Sequence, residues 1–306
     1  MVKAFGYNAN GGPEVAEFLE LDPPSPMAGE LLIDVRAAGV NPIDYKLRAG
    51  AYGPTDPSAF PVVLGAEASG VVREVGADVE GFSVGDEVFG AVAPGSGGYT
   101  EATLLTADVS APKPPQVSFE AAATLTVAAA TAYDGVTQLG LRAGQTLLVN
   151  GASAGVGVAA LQIARDLEIN AIGVAGPDKG PLIESLGATF ISYDDDVADQ
   201  VRQVLPDGVD AIFDLVGGHG LRVVAELLND RSKLISAADM GTVSELGGHL
   251  IQRDRGRRVL EIVAGLVADG KLDPKVEDVR PLDEAAQALA AVEVGHARGK
   301  VVIVPA

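Results

Sequence analysis

Leu147-Leu148-Val149-Asn150-Gly151-Ala152-Ser153-Ala154-Gly155-Val156-Gly157-Val158-Ala159-Ala160-Leu161-Gln162-Ile163-Ala164 decides how this chain is read. The opening run is apolar and uncharged, as in a parallel strand covered on both faces. A turn of small residues follows. Val158, Leu161, Ile163 and Leu167 then fall at helical spacing. Strand, tight Gly/Ala turn and helix together predict a dinucleotide site. The backbone N–H groups of Ser153, Ala154, Gly155, Val156 and Gly157 approach a pyrophosphate there, and the helix N-terminus offers it partial positive charge. The fingerprint is degenerate: Ala152, Ala154 and Gly157 stand where the common pattern has three glycines, with an additional Gly155. A strand-to-helix turn can be rich in small residues for packing alone, so the rest of the chain has to arbitrate.

The chain has 306 residues, enough for two domains, and 47% of them are hydrophobic, which supplies a sizeable interior. Charged residues at 21% and aromatics at 5% argue against disorder and against a base-stacking nucleic-acid binder. A formal net charge of -20 repels nucleic acid and anionic membrane surfaces alike. An anionic cofactor therefore has to be drawn in by local helix dipoles and a few basic residues. There is no cysteine, so disulfides, thiolate metal sites and cysteine nucleophiles are excluded. The N-terminal Met1-Val2-Lys3-Ala4-Phe5 opens into a strand-like run without the regions of a secretory signal. Apolar stretches such as Ala121 to Ala132 are too short to span a bilayer. The expectation is a soluble cytoplasmic protein.

Outward from the opening stretch, two patterns divide the chain. The first third reads as short strands at Val2 to Tyr7, Val15 to Leu21, Glu30 to Val40, Ala68 to Val75, Asp86 to Val92 and Tyr99 to Leu105, parted by proline and glycine clusters. This spacing predicts a partly closed β body. Val109 to Val117, rich in proline, reads as a connector, and Phe119 to Leu139 has helical spacing. Strands then alternate with helices. Strands are expected at Leu147 to Asn150, Ile169 to Val174, Thr189 to Ile191, Ala211 to Val216 and Ser232 to Ser236. Helices are expected at Val156 to Leu167, Lys179 to Leu186, Val197 to Val204 and Gly220 to Leu227. That alternation predicts an α/β fold, a doubly wound parallel sheet with helices on both faces. Helices at Gly256 to Ala268 and Asp283 to Val292, with strands at Val276 to Leu282 and Lys300 to Val304, close the chain.

Several separate blocks share one resemblance. Ala37-Ala38-Gly39-Val40-Asn41-Pro42-Ile43-Asp44, Arg48-Ala49-Gly50, Leu64-Gly65-Ala66-Glu67-Ala68-Ser69-Gly70, Val84-Gly85-Asp86-Glu87-Val88 and Gly98-Tyr99-Thr100-Glu101 stand in the first part. Leu186-Gly187-Ala188, Phe213-Asp214-Leu215-Val216-Gly217-Gly218 and Gly299-Lys300-Val301-Val302 follow. In this order the chain resembles the zinc-independent quinone oxidoreductase branch of the medium-chain dehydrogenase/reductase superfamily, nearly from end to end. The resemblance implies a GroES-like catalytic domain (1–118 and 256–306), a Rossmann NADPH-binding domain (119–255) inserted in it, and a nicotinamide held between them. Zinc alcohol dehydrogenases of that superfamily have Cys where this chain has Asn41 and His where it has Ala66; Glu67 remains, and one carboxylate does not hold zinc. Without a Lewis acid an alcohol oxygen is not activated, whereas hydride transfer to a quinone or a conjugated enone needs no metal. His219, His249 and His296 lie in separate segments without ligand spacing, so no metal site is expected.

The strand expected to carry an acidic residue for an NAD ribose ends Ile172-Gly173-Val174-Ala175-Gly176-Pro177, with no acid at its tip; Asp178 lies beyond it. In the resembling family a Lys at the position of Lys179 and a Tyr at that of Tyr193 grip a 2′-phosphate, which implies NADPH. Gly180-Pro181 and Asp194-Asp195-Asp196 nearby work against that grip. By the same resemblance Asn41 and Thr126 sit near the reacting carbons and the ribose. The nicotinamide is expected beside them and the loop after Leu234-Ile235-Ser236, where Ala237 replaces a bulkier residue. Val216 and Gly217 fall at the carboxyl end of a strand, where ligands collect in such sheets. Tyr52, in Ala51-Tyr52-Gly53-Pro54, is a candidate donor to the acceptor's carbonyl oxygen, or else a loop aromatic closing a lid. The expected partner is a small-molecule quinone or enone, with no nucleic acid and no membrane. A homodimer is implied, joined along a sheet edge near Lys233 to Met240 with Thr242 to Ile251 beside it. Two alternatives stay open: an enoyl-thioester or polyketide-tailoring reductase, and a cofactor-binding sensor with little turnover.

Overall fold

The computed structural model describes residues 1–53, 55–194, 196–295 and 299–305. Pro54, Asp195 and His296, singled out above, lie outside the described residues. The chain forms two compact units: Met1–Val127 with Arg255–Ala268 and Pro274–Ala306, and Ala128–Asp254 with Asp269–Asp273.

The first unit is built on a six-stranded sheet and a three-stranded one. The long strand Glu30–Val40 organises the larger sheet. It pairs antiparallel with Glu67–Val75 on one side, and its first half also pairs with Ala102–Pro112. Since Glu67–Val75 continues through Glu87–Val92 to that same Ala102–Pro112, these strands close on themselves, and the β body is partly a barrel. Ile33, Val35, Val72, Val88, Tyr99 and Leu105 fill the interior. The last strand, Lys300–Val304, adds antiparallel to the far half of Glu30–Val40, which brings a segment from the chain's end beside Gly39 and Val40.

Two expectations for this unit need correction. Val109 to Val117 is not wholly a connector, because the strand Ala102–Pro112 runs through its first residues and ends at the proline that cannot continue the ladder. There is also a short helix, Pro42–Arg48, where periodicity predicts none. Its signals are present in the sequence: Asn at the N-cap, Pro at the first position and Asp two residues later. The helical spacing of Phe119 to Leu139 resolves into Phe119–Ala122, a π-turn at Leu125–Ala129 and Ala130–Gln138. The chain passes from one unit to the other inside the π-turn.

The second unit is a doubly wound sheet. Its six strands run, in spatial order, Thr189–Ser192, Asn170–Ala175, Thr146–Asn150, Ala211–Asp214, Leu234–Ser236 and His249–Leu250, all parallel. The central strand Thr146–Asn150 is buried throughout, as its apolar run requires. Leu148, Ile172, Val201, Ile212, Leu221 and Val224 form the core under one helical face. The sheet edge falls at His249–Leu250, outside Leu234–Ser236, so the edge expected near Lys233 to Met240 is displaced by one strand. So short a strand leaves no periodicity to read. Among the described residues no helix is long and apolar enough to cross a membrane.

Candidate functional site

At the carboxyl end of the parallel sheet the decisive stretch makes the expected turn. The helix Gly155–Asp166 begins with Ala154 as an extended N-cap, so the first N–H groups of the helix point out of its start. The positive backbone angle falls on Gly151 (φ 87°), not on one of the positions the degenerate fingerprint assigns. Gly157 takes the close-approach role: a Cβ there would lie 2.5 Å from the Gly151 carbonyl oxygen and 2.6 Å from the Ala152 Cα. The helix therefore packs directly on the turn, and Ser153 to Gly157 form a cradle of backbone with little side-chain bulk.

Neighbouring strand ends are tied together by Asp214, a residue the sequence offers only within a family block. It is fully buried. Its carboxylate accepts from Asn150 Nδ2 (2.8 Å), Ser236 Oγ (2.7 Å) and the backbone N–H groups of Val216 (3.2 Å) and Gly217 (3.0 Å). Val216, Gly217 and Ser236 are thus brought to one place beside the turn. The Ser236 hydroxyl in turn accepts from the N–H groups of Ala238 and Asp239, which fixes the loop containing Ala237. Asp239 accepts from Thr242 N and Gly218 N, and the Thr242 backbone and hydroxyl, with Gly218 N, hold its carboxyl down at about 2.

Tyr193 and Asp178 meet around the tip of Asn170–Ala175. A Cβ on Gly176 would lie 3.3 Å from both the Tyr193 hydroxyl and Asp178 Oδ1. Asp178 also holds the Lys179 ammonium at 2.7 Å. The expectation of a strand tip free of acid needs correction: Asp178 reaches back to it because the short 3-10 turn Pro177–Lys179 folds over the strand end. A cavity of about 290 Å³ opens beside this tip, with Val174, Tyr193, Val197, His219 and Val223 in its wall. A larger one of about 460 Å³ lies at the opposite, amino ends of the strands, near Thr146, Asn170 and Thr189. Ligands of such sheets collect at carboxyl ends, where the smaller cavity lies.

The first unit has its own buried polar centre. Asn41 precedes the helix Pro42–Arg48, and its backbone N–H donates to Asp44 Oδ2 (2.8 Å). The same oxygen accepts from the Tyr99 hydroxyl (2.8 Å). Asp44 is 1% exposed, and burial pushes its carboxyl up to about 7 against those hydrogen bonds. The Asn41 carboxamide donates from Nδ2 to Glu67 Oε1 (2.7 Å) and accepts at Oδ1 from Lys300 Nζ (2.6 Å). Lys300 also donates to the Val40 carbonyl (3.3 Å) and lies 3.7 Å from Glu67. Glu67 further accepts from Val127 N (2.8 Å) and the Thr126 backbone N–H in the π-turn. Burial pushes Glu67 up and Lys300 down, and the opposite charge of each resists the shift in the other. Glu67 thus joins Asn41 and Thr126.

Tyr52 stands apart. It is 66% exposed, and among the described residues no hydrogen bond or ion pair ties it to this centre. Its loop is anchored instead through Thr55, whose N–H donates to Asn10 Oδ1 (2.7 Å), and through Arg48, which grips Glu293 with two bonds of 2.9 Å. The sequence offers Asp44, Tyr99 and Lys300 only within the family blocks and gives them no role. A lysine opening an apolar strand reads as solvent-facing, and nothing local announces a carboxylate so distant in the chain.

Family models match in two segments: an alcohol dehydrogenase GroES-like domain at 27–115 and a zinc-binding dehydrogenase domain at 186–303. The chain is 31% identical to the NADPH-dependent alkenal/one oxidoreductase of Arabidopsis thaliana over 316 residues, 99% of this chain and 80% of that one. It is 30% identical to the quinone oxidoreductase of Mus musculus over 312 residues, 95% and 93% of the two chains. This protein belongs to the quinone oxidoreductase branch of the medium-chain dehydrogenases/reductases. The solved quinone oxidoreductase of Coxiella burnetii superposes on this oxidoreductase with a TM-score of 0.90 at 29% identity, covering 99% of each. The relatives support a nicotinamide cofactor.

Proposed function

We propose that this oxidoreductase binds NADPH in its parallel-sheet unit and reduces a quinone or an α,β-unsaturated carbonyl compound without a metal. The observation that carries this reading is the pairing of Asn41 and Glu67 with a buried ammonium, Lys300. The residues there do not fit zinc. Ala66 has no donor atom, Asn41 turns its amide nitrogen toward Glu67, and a cation already faces that carboxylate. Among the described residues no group of three or more His, Cys, Asp and Glu side chains is placed to hold a metal ion.

The nucleotide cradle fits NADPH. The Ser153–Gly157 turn and the helix start receive the pyrophosphate, and the cavity walled by Val174, Tyr193 and His219 has room for the adenosine end. Lys179 and Tyr193 bind the 2′-phosphate, with Lys179 exchanging its Asp178 partner for the stronger anion. Val216, Gly217, Ser236 and Ala237 support the nicotinamide end from the Asp214-organised loops. When bound, NADPH supplies the hydride. Asn41 and Thr126 orient the acceptor, and the Tyr52 hydroxyl donates to the acceptor oxygen as negative charge develops on it. Two copies associate along the exposed His249–Leu250 edge, a proposal that the solution mass decides.

The test is direct. The protein is mixed with NADPH and a panel of quinones and enones, with saturated aldehydes and primary alcohols (the latter with NADP+) as controls, and nicotinamide absorbance is followed. Acceptor-dependent NADPH oxidation confined to the activated acceptors is expected. Tight NADPH binding with no oxidation by any acceptor overturns the reading in favour of a binding protein.

A further inference from the structure

The Asn41 carboxamide is held from both ends by groups of fixed polarity. An ammonium has only donors and an ionised carboxylate only acceptors, so Lys300 against Oδ1 and Glu67 against Nδ2 leave one orientation of the amide. One Nδ2 hydrogen goes to Glu67 at 2.7 Å. Among the described residues the other meets only the Gly39 carbonyl, at 3.4 Å, beyond an ordinary hydrogen bond. That hydrogen is the one the amide has to offer a ligand. Lys300, 5% exposed, places its own donors on Asn41, on the Val40 carbonyl and toward Glu67.

We propose that Lys300 is a positioning residue that locks the Asn41 carboxamide with its nitrogen, not its oxygen, available to the acceptor's carbonyl oxygen. This rests on the reductase reading. Lys300 acts in two ways: it occupies Oδ1 directly, and its charge favours the ionised, acceptor-only form of Glu67 against the pull of burial. With the ammonium gone, a buried carboxylate favours its protonated form. A protonated Glu67 donates as readily as it accepts, and the flipped amide then becomes as good as the native one. A flipped amide turns a lone pair toward the acceptor oxygen, and repulsion replaces the hydrogen bond.

The experiment compares Lys300→Met, Asn41→Ala and the double variant. Lys300→Met lowers kcat for the enone or quinone about tenfold or more, with the NADPH dissociation constant unchanged within about threefold. The double variant is no slower than Asn41→Ala alone, because Lys300 acts through that amide. Losses that multiply instead, or an unchanged kcat in Lys300→Met, overturn the proposal. Lys300→Met leaves Glu67 without its cation and can fail to fold, so Glu67→Gln/Lys300→Met supplies a neutral version of the site. A second readout needs no turnover. The Asn41 side-chain amide, assigned by its loss from the 15N spectrum of Asn41→Ala, exchanges slowly with solvent in the wild type and rapidly in Glu67→Gln/Lys300→Met. Equal protection in both overturns the proposal. If none of the acceptors supports NADPH oxidation by the wild type, the reductase reading fails while the amide signals still decide the role of Lys300.

Discussion

Glu67 and Asp214 are both fully buried carboxylates at a strand terminus, yet they are stabilised in opposite ways. Asp214, in the parallel-sheet unit, is met by an amide, a hydroxyl and two backbone N–H groups, with no cation among those partners. Glu67, in the β-rich unit, has an amide and backbone donors too, but faces a buried lysine. The first arrangement is carried by dipoles that the fold supplies at strand ends; it knots loops together. The second sets a charge against a charge, and it orients one side chain. Buried pairs of that kind contribute little net stability compared with apolar substitutes, but their separate halves are costly.

The comparison breaks most visibly at Lys300. Lys300→Met should cost about 3–5 kcal/mol of unfolding free energy, and Glu67→Gln/Lys300→Met should recover most of it. Chemical denaturation of the three proteins measures this; a double variant as unstable as the single one contradicts the charge-pair account. Asp214→Asn sharpens the contrast, because no cation is stranded there. Its new NH₂ group meets donors from Ser236 or Gly217, and a loss of about 2 kcal/mol is expected together with weaker NADPH binding. Wild-type stability and affinity in the Asp214→Asn variant would show that the strand-end knot is dispensable. Gly157→Ala drives a methyl into the turn backbone and should cost about 1–3 kcal/mol, with NADPH affinity reduced in parallel.

Asp44 adds a pH signature to the first unit. Burial raises its carboxyl to about 7 in the folded protein, from an ordinary value of 3.8. Between those values the folded state holds the proton more than the unfolded one does, so stability falls as pH rises and levels off above about 7. The unfolding free energy of the wild type minus that of Asp44→Asn should therefore decline from about pH 4 to about pH 7. A difference that is flat, or rises, across that window removes Asp44 from the account. The smallest effect belongs to Tyr52, whose exposed loop leaves it least constrained. Tyr52→Phe should lower turnover about tenfold or less, and full activity on every acceptor would assign it to the lid alone.

The same contrast explains what the sequence discloses. The strand-end knot forms where chain order dictates: Asn150, Asp214 and Ser236 terminate parallel strands whose alternation with helices is visible, so the place is legible even though the role of Asp214 is not. The turn at Gly151 to Gly157 is legible for the same reason, save that the left-handed residue is Gly151. The network around Asn41 has no such signature. It depends on Lys300–Val304 returning to pair with Glu30–Val40, a contact across 260 residues of sequence that no local pattern encodes. Asp178 escapes the sequence on a smaller scale, since a single 3-10 turn decides whether its carboxylate points away from the strand tip or back to it.

If Lys300, not a metal ion, stands opposite Glu67 while hydride passes from NADPH to an activated double bond, removing metal leaves the enzyme intact. The protein is dialysed exhaustively against a chelator, its zinc content is measured, and NADPH oxidation by an enone is followed before and after. The account predicts acceptor-dependent oxidation at an unchanged rate with no stoichiometric zinc. Activity that disappears with the chelator and returns with added zinc would contradict it.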